Sequence, residues 1–75
     1  MKIRCVVACK NSEGVPDFYS CTVNCSKSQY ENGDHYDMAE DRAIDSDYEG
    51  SMVVYDENDG QRWMFNHFFS KCTGR

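Results

Sequence analysis

Residues 2–10 alternate apolar with polar around a β-branched centre, which puts Ile3, Cys5, Val7 and Cys9 on one face. A period of two marks a half-buried strand. Asn11 to Asp17 is a turn cluster that holds the single proline, Pro16. Phe18 to Ser26 then alternates again, with Tyr19, Cys21, Val23 and Cys25 on one face, so the two runs predict an antiparallel hairpin. The cysteine positions suggest a register in which Cys5 faces Cys25, Val7 faces Val23 and Cys9 faces Cys21, all on the core side. That register centres the turn on Val15. A loop of five residues or more is expected there, because Pro16 cannot take the positive φ that ends a three-residue loop.

Ser26 to Asn32 reads as a polar connection. Gly33-Asp34 opens a helix with Asp34 as N-cap and Asp37 in its first turn, and Tyr36, Ala39, Ala43 and Ile44 form an inward stripe. The helix is expected to stop near Ser46 or Asp47. Ser51–Asp56 and Gln61–Phe69 read as two more strands. Asn58-Asp59-Gly60 fits a type I turn followed by a left-handed glycine, which opposes Tyr55 to Trp63, Val53 to Phe65 and Asp56 to Arg62. The expected fold is therefore α+β, in the order ββαββ: a four-stranded, largely antiparallel sheet of two hairpins with one helix packed on one face. Residues 1–70 form a single domain and 71–75 a C-terminal tail.

Seventy-five residues allow one small core. An aromatic share of 13 % argues against disorder. No apolar run approaches the ~20 residues of a membrane helix. Nor does the alternating N-terminus supply the apolar core of a signal peptide, so a cytoplasmic protein with reduced cysteines is expected. A net charge of −5 disfavours direct binding to a nucleic-acid backbone.

The cysteine spacing Cys5-x3-Cys9 and Cys21-x3-Cys25 raises the question of zinc. Residues four apart on a strand lie ~13 Å apart, whereas one zinc ion gathers its sulfurs within ~4 Å. No metal and no cofactor is therefore assigned. Facing cysteines across a hairpin can form disulfides, so a thiol redox- or metal-responsive protein built on Cys5 with Cys25 and Cys9 with Cys21 is one alternative. The plainer reading treats these thiols as small buried apolar groups, with Cys72 adventitious in the tail. His35 and His67 acquire no nucleophile or carboxylate partner from spacing, and no catalytic constellation emerges; a non-enzymatic role is expected. Asp56-x-Asn58-Asp59-Gly60 lacks the glycine and glutamate positions of a calcium loop.

Charge and aromatic content single out two surfaces. Eight carboxylates fall between Glu31 and Glu49, against Arg42 alone. Such a segment serves solubility, or it is an electrostatic footprint for a basic partner. The second hairpin is apolar on both sides, with Val53, Tyr55, Trp63 and Phe65 on one and Met52, Val54, Met64 and Phe68 on the other. One helix covers one face, so part of this hairpin is expected to meet solvent, a second copy or a partner.

The acidic segment Asp34 to Glu49, the aromatic stretch Ser51 to Phe69 and the small lone domain resemble, in kind, the very small acidic inhibitors that bacteriophages make against their hosts, anti-CRISPR proteins among them. Such inhibitors share no common site, so the resemblance transfers no functional residue. It implies a non-catalytic module that docks on a larger, basic, nucleic-acid-binding bacterial protein in the host cytoplasm. The expected contact residues are Asp37, Glu40, Asp41, Asp45 and Asp47 for steering and Tyr55, Trp63 and Phe65 as anchors. A self-associating structural protein, as a homodimer, is the remaining alternative.

Overall fold

A computed structural model describes residues 1–59 and 61–73. Its middle strand is β1 (Lys2–Lys10), with β2 (Pro16–Asn24) antiparallel on one side and β3 (Glu49–Asp56) antiparallel on the other. Three helices complete it: α1 (Lys27–Asn32), α2 (Asp34–Asp45) and α3 (Arg62–Thr73). The α+β class stands, but the four-stranded ββαββ arrangement is replaced by a three-stranded sheet with three helices. Residues 71–73, expected in a tail, belong to α3; 74 and 75 lie outside the described residues.

The first hairpin forms in a register shifted by four. Cys5 faces Cys21, Ile3 faces Val23 and Cys9 faces Asp17, while Cys25 exchanges backbone hydrogen bonds with Met1. Turn chemistry explains the shift. Asn11 and Val15 close a three-residue loop in which Gly14 takes the left-handed position at φ 78°, and Asn11 Oδ1 accepts from the N–H groups of Glu13 and Val15. Pro16 then falls at the start of β2, where no N–H is needed. A shift of four keeps every side chain on its expected face, so the core face survives although the partners change.

Ser26 to Asn32 is not a plain connection. Ser26 caps α1 with a full capping box to Gln29, and Gly33 ends it at φ 80°. Gly33, rather than Asp34, is also the N-cap of α2. The inward stripe of α2 is His35, Ala39 and Ala43, all buried; Tyr36 is half-buried and Ile44 is 56 % exposed. The two alanines let the helix lie close on Ile3, Cys5, Val7, Cys9, Cys21, Val23 and Cys25.

The expected fourth strand is α3, on the opposite side of the sheet. Phe65, Phe68, Phe69 and Cys72 recur at the three-and-four spacing of a helix. Phe68 stacks on Phe18 at 4.6 Å and tilts against Tyr55 at 5.3 Å, and Phe65 is fully buried. Tyr55 and Val53 face Val6 and Ala8 of β1, not Trp63 and Phe65. The two-sided apolar character of this region is thus resolved by a second helix layer. The left-handed conformation expected of Gly60 lies outside the described residues.

Candidate functional site

The carboxylates of α2 follow from its helical period. Asp37, Asp41 and Asp45 stand four apart on the side away from His35, Ala39 and Ala43, and all three are exposed. Glu40 is half-buried on the flank. Asp47 is exposed just past the helix, at φ 68°, where it closes a Schellman-type end: its N–H reaches Ile44 O and the Tyr48 N–H reaches Ala43 O. Ile44 projects among these acids.

Arg42, the one cation of the segment, turns to the other flank and donates to the carbonyl of Thr22 in β2. Among the described residues the ion pairs are Arg4–Glu57 and His35–Asp56, so none of the exposed α2 carboxylates has an intramolecular counter-ion. Like charges four apart repel, and Asp45 also sits at the negative end of the helix dipole.

The aromatic residues expected to complete this surface do not join it. They belong to the α3 side of the sheet, and the acids to the α2 side. Trp63 is 71 % exposed, whereas Tyr55 is half-buried against Phe68. Phe65 is fully buried beneath the Arg4 guanidinium, which lies over it and Phe69 at 5.7 and 4.9 Å. Phe65 is a core residue, and its place among the contact anchors is withdrawn.

A buried polar cluster was not anticipated from the sequence. His35 Nε2 and Asp56 Oδ2 lie 2.6 Å apart, both side chains almost fully buried. The rings of Tyr36 and Tyr30 sit 4.1 and 4.7 Å from the imidazole. Asp56 Oδ1 accepts from the Asn58 N–H, and the Tyr36 hydroxyl also bonds to Asp56. Burial, and then the Asp56 carboxylate, push the Tyr36 phenol up to about 12. His35 Nδ1 is buried without a partner among the described residues. The pair joins the first turn of α2 to the end of β3, and its burial denies substrate access to either group. Alternation with Met52 and Val54 would have placed Asp56 on the core face; opposing it to Arg62 hid that signal.

The thiols are apart from this acid surface. Cys5, Cys9, Cys21 and Cys25 are buried and free. Burial pushes the Cys5 thiol up to about 12, helped by Cys21 and Asp56, and raises Cys9, Cys21 and Cys72 in the same direction. Protonated thiols are poor nucleophiles and poor metal ligands. The pairings Cys5 with Cys25 and Cys9 with Cys21 do not occur. Among the described residues no group of three or more His, Cys, Asp and Glu could hold a metal ion. No helix among them is long and apolar enough to cross a membrane. Compared with known proteins, the chain matches no family model, no curated protein and no solved structure.

Proposed function

We propose that the protein is a non-catalytic docking module that presents the outer face of α2 to a basic surface of a larger bacterial protein. The observation that carries this reading is the row Asp37, Asp41 and Asp45, extended by Asp47, exposed and without an internal counter-ion among the described residues. A row evolved for solubility alone is readily interspersed with lysine, which lowers repulsion at no structural cost. Here the cation in the segment is turned away to β2. A basic partner relieves the repulsion that the free protein retains, and the field speeds encounter. Ile44, exposed between carboxylates, supplies an apolar contact at the centre of that face.

A surface that binds phosphate groups is the natural complement of such a row, because carboxylates at helical spacing compete for the same lysines and arginines. This is the mode implied by the resemblance to small phage-encoded inhibitors, and it makes a nucleic-acid-binding protein the target class.

The test is capture from bacterial lysate at low and at raised salt, with the native chain and with Asp37, Asp41, Asp45 and Asp47 changed to asparagine. A basic protein retained by the native chain at low salt, lost from the amide variant and weakened by salt is the expected outcome. Equal retention by both chains would overturn the reading.

A further inference from the structure

Among the described residues, the polar side chains that lie in the core are His35 and Asp56. Asp56 accepts from the Asn58 N–H and from the Tyr36 hydroxyl, and its Oδ2 lies 2.6 Å from His35 Nε2. An ionised carboxylate is an acceptor alone, so Nε2 carries the hydrogen and donates it to Asp56. Nδ1 is then the nitrogen with the free lone pair, and it is where a further proton adds.

That second nitrogen is poorly provided for. Nδ1 is buried and has no partner among the described residues. The rings of Tyr30 and Tyr36 lie against the faces of the imidazole, not at its edge, so they offer Nδ1 no acceptor. An imidazolium here would gain attraction to Asp56. In a core, such attraction repays lost hydration when further hydrogen bonds satisfy the remaining protons. The proton on Nδ1 has none, so the closed structure holds the neutral ring.

The bond sits where the fold is thinly held. α1 contributes no buried residue, whereas further along α2 the side chains of Ala39 and Ala43 are fully buried on the sheet. The corner between the helices is closed by the Gly33 N–H to Tyr30 O and the Tyr36 N–H to Gly33 O. His35 fastens that corner to the end of β3.

We infer that the His35–Asp56 pair is a pH-sensitive clasp: it holds α1 and the first turn of α2 against the end of β3, and a proton taken up at His35 Nδ1 releases this corner to water. The proton comes from solvent, and in the open corner the new N–H donates to water. The open form binds one proton more than the closed form, so closure is favoured as pH rises and lost as pH falls. The groups facing the pair do not supply the effect. From α1 and α2 these are Tyr30 and Tyr36; from the sheet, Cys5 with Cys21 and Cys25 beside it. After β3 come Glu57, which Arg4 holds, and Asp59, which lies near Tyr36. The phenols and thiols keep their protons throughout the acid range. The inference goes beyond the docking reading and stands without it.

The test combines ring-nitrogen NMR shifts of the histidines with amide hydrogen exchange of the whole chain, corrected for intrinsic rates. The exposed His67 is the internal reference. At about pH 7.5 His35 is expected to be neutral, with its hydrogen on Nε2. On going to about pH 5.5, exchange at Gly33, Tyr36 and Asn58 should rise about tenfold or more, with the buried Val7 of β1 unchanged. His35 should become charged over the same range. In His35→Gln, whose amide still donates to Asp56 but takes up no proton, those three amides should stay protected. A charged His35 beneath a closed corner would overturn the clasp, as would three amides that stay protected to about pH 5.5. Equal opening in His35→Gln would assign the effect to another group. Val7 exchanging in step with the corner would show acid unfolding of the whole chain. If His35→Gln does not fold, the ring state and corner exchange of the native chain, read in one sample, still decide.

Discussion

Cys5, in the middle of β1, has no exposed surface, and burial pushes its thiol from 9.0 up to about 12. Tyr36, bonded to Asp56, is pushed from 10.0 up to about 12. In the unfolded chain both groups release their protons at the lower values. Between pH 9 and 12 the unfolded state therefore binds fewer protons than the folded one, and stability falls as pH rises. The contribution of Cys5 is complete below pH 9 and that of Tyr36 below pH 10. Urea midpoints measured from about pH 8 to about pH 11 should decline across this window, and Cys5→Ala should make the decline shallower. A midpoint that stays level, or a decline identical in Cys5→Ala, would contradict the burial argument. At this scale the inward face of Cys5, Cys9, Cys21 and Cys25 was legible in the sequence, because the period of two is local, whereas Cys72, expected in a tail, lies in α3. The partner of Cys5 was not, since it depends on which residue turns the chain. Gly14 at φ 78° held that information, and the weight given to Pro16 concealed it.

The element that sequence reasoning misassigned most is α3. Trp63, Phe65 and His67 alternate as a strand would, but Phe65, Phe68, Phe69 and Cys72 also satisfy a helical stripe, and a short aromatic run supports both patterns. What decides is the sheet's second face. Val6 in β1 is completely buried, on the side away from α2, and requires a cover wider than one more edge strand. α3 supplies it with Phe65 and Phe68, while Trp63 points to solvent. The two aromatic residues once expected to act alike should therefore behave oppositely. Phe65→Ala removes a buried ring and should cost about 3–5 kcal/mol in chemical denaturation. Trp63→Ala should stay within about 0.5 kcal/mol. Equal effects from the two would place the first turn of α3 differently. The helix α2, by contrast, was legible over most of its length, because Gly33, the paired alanines and the acids all report the same period; the inward place of His35, the outward direction of Ile44 and the capping role of Gly33 were misread.

Over the whole molecule the charge is divided. Residues 31–49 hold eight carboxylates and one arginine, and the rest of the chain holds five acidic and seven basic residues, so the acid surplus lies in this one segment. Salt should consequently act on folding and on binding with opposite signs. In the free protein, screening relieves repulsion among Asp37, Asp41 and Asp45 and should raise the thermal midpoint as ionic strength increases toward the point where the Debye length falls to about 8 Å. In the complex, the same screening removes the attraction to a basic partner and should weaken affinity. Changing Asp41, which lies four residues from both Asp37 and Asp45, to asparagine separates the two effects with one substitution. Asp41→Asn should raise the midpoint at low salt, flatten its salt dependence and lower affinity for the captured partner. A variant that gained stability without losing affinity would show the row to be a solubility feature. If both were lost, Asp41 would be a structural residue, which its exposure on the outer face of α2 argues against.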